Sequence, residues 1–250
     1  TQILEFYNEY KNQKTGIESP VSIAKSSKIG DNVYIGAFAY IGENVTIGDH
    51  VKIYPNCYIG DHVIIKENTT LYAGVKVYAD CIIGENCKIH AGTVIGSDGF
   101  GFAPTDSGEY KSIPQIGNVI LEDNVDVGAN STLDRATMGS TLVKKGTKID
   151  NLVHLAHNVV VGTNTVIAAQ SGVAGSSSIG DNCMFGGQVG VSGHISVGSG
   201  VKISAKSGVT RNIKENLVLR GIPAMEYNAY NKSYVLFKKL PEIIKELKNN

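Results

Sequence analysis

Two histidines three residues apart, His154 and His157, stand in the segment IDNLVHLAHNVVVG (149–162), and a third, His194, closes SGH (192–194). Imidazole exchanges its proton nearest neutral pH, so it suits a general base or acid. The same residues could instead be surface turn residues. His154 and His157 could also be two ligands of a zinc ion completed by a neighbouring subunit. What they can do depends on what the surrounding segment builds.

One branched aliphatic or leucine recurs every six residues from Ile23 to Ile95, thirteen times without a break. Two residues before it stands a smaller side chain, as at Val33, Ala39, Cys57, Thr69 and Cys87, and Gly often follows it with Asp, Glu or Asn next. A six-residue period does not match the 3.6 of an α-helix. It predicts short strands separated by tight turns, three hexads to a coil, with neighbouring coils about 4.8 Å apart. The fold class is therefore all-β, a parallel β-helix whose coils supply one another's core.

In that frame His157 lies two positions after the inward Leu155, near a corner where side chains leave the prism. Gly175, eighteen residues later, stacks on it one coil away, and His194 falls two coils and one residue beyond His157. An imidazole base, an exposed glycine N–H for an oxyanion and a second imidazole on one edge form a plausible acyl-transfer site. His50 and His62, both in DH turns, read as turn residues, and periodicity leaves His90 undecided.

The phase resumes at Leu121, Val127 and Leu133 and again from Ile149 to Val209. Residues 97–118 loop out of the prism and residues 135–147 carry a smaller offset; loops on a solenoid commonly gather on a functional face. Residues 1–16 read as a helix stopped by Gly16, and residues 224–250 as helical again, split in two by Pro241. The predicted division is thus 1–16, a helical tail, which the resemblance given below makes a linker helix; 17–223, the β-helix; and 224–250, a helical extension.

The 250 residues carry 23 basic and 23 acidic side chains, a neutral balance that lacks the basic excess of a nucleic-acid surface. Residues 201–250 nevertheless hold ten Lys or Arg against four Glu, an end suited to an acidic partner or simply a solvated face. No apolar run is long enough to span a membrane. The four cysteines form no CxxC pair and fall at the small inward position, as buried fillers compatible with a reducing cytosol. The chain opens on Thr1 with no signal-peptide pattern, as expected of a trimmed piece of something longer.

The segments SDGFGFAP (97–104), IPQIGNVILEDNVDVGANSTLDRATMGST (113–141), KIDNLVHLAHNVVVG (148–162), GGQVGVSGH (186–194) and GIPA (221–224) occur in an order that resembles the UDP-3-O-(3-hydroxyacyl)glucosamine N-acyltransferases of lipid A biosynthesis, over about residues 16–225. The resemblance implies a left-handed β-helix of hexapeptide repeats, a cytoplasmic homotrimer and active sites between subunits. It implies His157 as base on the glucosamine 2-amine, Gly175 in the oxyanion hole and His194 as a second active-site histidine. Asp150, Asn151, Asn158 and His154 match positions around the substrate, and Arg211 a position near the pantetheine arm. His154 departs from the Gln common in relatives. The donor would be the 4′-phosphopantetheine thioester of acyl carrier protein, docked on the basic C-terminal helices, with no metal and no other cofactor. Gly208 would lie near the end of the acyl groove. The resemblance also implies that residues 1–16 are the remnant of a missing nucleotide-binding domain.

Three other readings compete with this one. They are a related acyl- or acetyltransferase using acetyl-CoA or acylating a hydroxyl, a zinc enzyme of the γ-carbonic anhydrase type, and a non-catalytic trimeric scaffold.

Overall fold

The computed structural model describes residues 3, 4, 7, 14–221 and 227–249. Most strands are two residues long, an outward residue followed by the inward aliphatic, as in Lys52–Ile53 and Thr70–Leu71. Every third strand joins the same sheet. Gly16–Ile17 pairs in parallel with Tyr34–Ile35, and that strand with Lys52–Ile53. Among the described residues the three faces hold eleven, ten and nine strands. This is the all-β parallel β-helix that the hexads predict.

The inward residues form continuous columns. Ile35, Ile53, Leu71 and Ile89 stack on the first face, each fully buried. Burial of each such side chain contributes about 1.5–3 kcal/mol. At the smaller inward position a buried hydroxyl is tolerated because its proton has a fixed acceptor. Thr69 donates to the Gly84 carbonyl at 2.8 Å, Thr93 to Gly128 at 2.8 Å and Thr147 to Gly162 at 2.7 Å. The cysteines occupy the same position, free and buried, as predicted.

Corners require a left-handed residue, and Asn supplies more of them than any other type, as at Asn32 and Asn86 (both φ 55°). Asp carboxylates of the next coil cap the turns: Asp31 N–H donates to Asp49 and Glu43 N–H to Asp61.

Neither interruption breaks the inward columns, although the pairing shifts by one residue between Ile95 and Ser97, where the longer one begins. Ile83 pairs with Leu121, and Leu121 with Val143, so both insertions leave the column continuous. The longer one carries an antiparallel hairpin, Phe102–Pro104 with Tyr110–Ser112.

Ile3, Leu4 and Tyr7 are helical, and residues 8–13, where that helix would end, lie outside the described residues; Gly16, with φ 90°, opens the first strand. Pro241 does not divide the C-terminal helix, α1 (Tyr227–Asn249), which runs through it as 23 continuous residues. The one carbonyl that proline leaves without a donor can be hydrated on so exposed a helix. The last residues of the GIPA segment lie outside the described residues.

Candidate functional site

His157 projects from the corner after strand His154–Leu155, and its carbonyl accepts the Ser176 N–H at 2.9 Å. Its ring lies against Gly175. A β-carbon built on Gly175 would stand 2.5 Å from His157 Nε2 and 2.7 Å from Cε1. A β-carbon on Gly99, carried by the long insertion, would stand 2.7 Å from His157 Cβ. Two glycines, one from the next coil and one from the insertion, therefore make the slot that holds the imidazole.

Asn158 decides which ring nitrogen is free. Its Nδ2 donates to the Met138 carbonyl at 2.9 Å, and its Oδ1 accepts the Thr137 N–H at 3.0 Å, so the amide cannot be turned round. His157 Nδ1 lies 3.2 Å from that same Oδ1, an acceptor, and must carry the proton. Nε2 is left with its lone pair over Gly175, as a general base requires. The smaller insertion supplies both Thr137 and Met138. The Gly175 N–H makes no hydrogen bond among the described residues, and its carbonyl accepts the His194 N–H at 3.0 Å.

His154, Gly172, Gly190 and Gly208 are aligned on the outer surface of the second face. A β-carbon on any of the three glycines would meet nothing within 4 Å. They floor a groove of about 610 Å³ that begins at His154, His157 and Phe100 and reaches Gly208 and Thr210. Three coil steps make that floor roughly 14 Å long. The volume suits a small-molecule site.

His194 sits at the same corner, one column over, aligned with Ser176 and Asn158; it is exposed and does not line the groove. Arg211 is exposed and follows Thr210 at the far end of the groove. Asp150 and Asn151 occupy the opposite edge of the second face. There Asp150 accepts the Asn151 and Ala169 N–H groups at 2.7 and 3.1 Å, and Asn151 accepts the Ala129 N–H at 2.6 Å. His154 and His157 face different partners: His157 faces Gly175, while His154 Nε2 lies 3.5 Å from Asp134 Oδ2.

Asp134, Gly99 and Phe100 are site residues that sequence reasoning missed. Asp134 follows the inward Leu133, and its carboxylate accepts the Ser97 hydroxyl at 2.9 Å. Burial pushes its pKa up, while His154, the Ser97 hydrogen bond and His157 pull it back. Gly99 and Phe100 lie in the DGFGF stretch, where two glycines around an aromatic are the only local signal.

The fold and this edge define a class. The model for bacterial transferase hexapeptides (six repeats) matches residues 26–61, 38–72, 62–97 and 140–175, and that for the hexapeptide repeat of succinyl-transferase matches 177–211. The chain is 63% identical to the UDP-3-O-acylglucosamine N-acyltransferase of Christiangramia forsetii over 240 residues, 96% of this chain and 70% of the relative. It is 61% identical to the enzyme of that name from Cytophaga hutchinsonii, over 99% of this chain and 71% of the relative. The chain belongs to the UDP-3-O-acylglucosamine N-acyltransferase family, and so among acyltransferases. In fold it is similar to the UDP-N-acetylglucosamine acyltransferase of Francisella novicida (TM-score 0.66, 24% identity, 92% of this chain and 79% of that one). It is also similar in fold to the acyltransferase of that name from Bacteroides fragilis (TM-score 0.65, 22% identity, 81% and 70%). Among the described residues, no helix is long and apolar enough to cross a membrane.

Proposed function

We propose that the protein transfers a 3-hydroxyacyl chain from acyl carrier protein to the 2-amine of UDP-3-O-(3-hydroxyacyl)glucosamine, in the cytoplasm, as a step of lipid A biosynthesis. One observation carries the reading: an imidazole with its tautomer fixed presents Nε2 over a glycine at the head of an apolar groove.

In this mechanism the neutral amine attacks the thioester carbonyl carbon. His157 Nε2 takes the amine proton as the C–N bond forms, and the Gly175 N–H receives the developing oxyanion. Collapse breaks the C–S bond, and the thiolate takes the proton from His157. The glycine floor holds the acyl chain, with Gly208 towards its end. The donor arrives as a 4′-phosphopantetheine thioester with no further cofactor. Its acidic carrier docks on the basic C-terminal region, where Lys232, Lys238, Lys239 and Lys245 lie on exposed α1 and Arg211 near the arm.

A homotrimer completes the site. A closed threefold arrangement brings two different patches of the same chain together. The edge with Asp150 and Asn151 would then complete the substrate contacts of a neighbouring subunit, with His194 orienting the arm.

The test is transfer from 3-hydroxyacyl carrier protein to UDP-3-O-acylglucosamine and to its hydroxyl analogue, with His157→Ala as control. The reading expects amide formation, no ester and a fall of about 10²–10⁴-fold in the variant. Transfer from acetyl-CoA alone, or an undiminished variant, would reject it.

A further inference from the structure

A second cavity, of about 450 Å³, lies beneath the Phe102–Pro104/Tyr110–Ser112 hairpin, lined by Asp98, Gly99, Ser112 and Asp134 among others. It shares Phe100 and His154 with the glycine-floored groove. The ring of His157, packed between Gly99 and Gly175, stands at the partition. The groove has no carboxylate in its lining, whereas this cavity has two, Asp98 and Asp134, among its apolar residues.

Asp134 is the buried one, 5% exposed. Ser97 Oγ donates to its Oδ1 at 2.9 Å, and its Oδ2 faces His154 Nε2 at 3.5 Å. The neighbouring Arg135 is turned away. Its Nε and Nη2 donate to the Gly96 and Ala79 carbonyls at 2.7 and 3.2 Å, and its ion pair is with Asp98 at 3.7 Å. The titratable groups acting on Asp134 are therefore His154, His157 and Asp98. The His154 side chain is half exposed, so a proton on its ring has a way to water.

The reaction proposed above, on which this inference rests, leaves a proton unassigned. A primary amine is an ammonium for much of the time at neutral pH, and its nitrogen must lose two protons to become an amide. The balance is ammonium plus thioester giving amide, thiol and one free proton. His157 accepts one proton and passes it to the thiolate. The other must leave before attack, because an ammonium has no lone pair.

We propose that the cavity beneath the hairpin binds the acceptor as a protonated primary amine, and that His154, countered by Asp134, takes its first proton before His157 takes the second. One N–H bond of the ammonium breaks, its electron pair stays on nitrogen, and the proton passes to the His154 ring and on to water. Asp134 is a positioning residue in this scheme: its charge attracts the ammonium and stabilises the imidazolium that forms. The freed amine then faces the groove across the partition that His157 occupies.

The experiment is kcat/KM for UDP-3-O-acylglucosamine, measured on the full chain from about pH 6 to about pH 9, for the wild type, His154→Gln, Asp134→Asn and His157→Ala. His154→Gln changes a half-exposed side chain, and Asp134→Asn is nearly isosteric, so both should fold; their melting temperatures verify this. His154→Gln and Asp134→Asn are expected to lose about 10–100-fold at the acid end and to recover to within a few-fold of wild type at the alkaline end. There the amine arrives already neutral. His157→Ala should stay low throughout. A deficit in the first two variants that is constant with pH, or no deficit, would overturn the assignment while leaving the proposed function standing. A wild-type chain inactive towards this acceptor would overturn both.

Discussion

The imidazole of His157 fills the space that a side chain at residue 175 would need: a β-carbon there would lie 2.5 Å from Nε2. Gly175 is a glycine for that reason and not for its backbone angle, since it is not among the residues of positive φ. Gly175→Ala must therefore displace the ring. Transfer is expected to fall by about 10²-fold or more, with the melting temperature little changed. An alanine variant of unchanged kcat would show that the ring position does not matter.

Asn158 fixes the tautomer, so its removal should be visible on the ring itself. In the wild type the neutral form of His157 should carry its proton on Nδ1, read from imidazole ¹⁵N shifts. Asn158→Ala removes that acceptor and also strands the Thr137 N–H and the Met138 carbonyl. A shift towards the Nε2-protonated form should accompany a loss of about tenfold or more in kcat.

Asp134 has a pKa raised above the ordinary carboxylate value, chiefly by burial. The folded state thus holds this proton more tightly than the unfolded one. Its contribution is fully present below the unfolded pKa of about 3.9 and is lost as pH rises through the folded pKa. Asp134→Asn stays neutral and should match or exceed the wild-type melting temperature at neutral pH. Its advantage should shrink as pH falls towards 4. A wild type more stable than the variant at neutral pH would mean that the histidines outweigh burial.

The glycine floor should set what the groove accepts. Gly208→Met places a side chain where a β-carbon now meets nothing within 4 Å. Fold and melting temperature should hold, while preference moves to shorter 3-hydroxyacyl donors, by about fourfold per methylene excluded, or ~0.8 kcal/mol. Equal rates for shorter and longer donors in both proteins would remove Gly208 from the groove's end.

Burial pushes the thiols of Cys57, Cys81 and Cys87 up to about 11 and raises that of Cys183 as well. The thiolate is the reactive form. A disulfide reagent at mildly alkaline pH should therefore find no reactive thiol among the four until the protein is unfolded.

The hexad by itself determined the all-β helix, its three faces, the inward columns and the place of every cysteine, because a strict period admits one pattern of burial along the chain. It also put His157 and Gly175 in one column, since eighteen residues advance the chain by one coil. The helix ends were less legible: Gly16 and Pro241 are ambiguous signals whose outcome depends on pairing and solvent. Only the tertiary structure showed that Gly99 and Gly175 clasp one imidazole, that the Thr137–Met138 insertion fixes Asn158, and that Asp134 faces His154. It also separated His194 from the groove and put Asp150 on the opposite edge. The physical reason is that these relationships join columns to insertions. A repeat fixes where each backbone position falls, but a loop that leaves the repeat returns at a place set by packing and hydrogen bonds, which no period encodes.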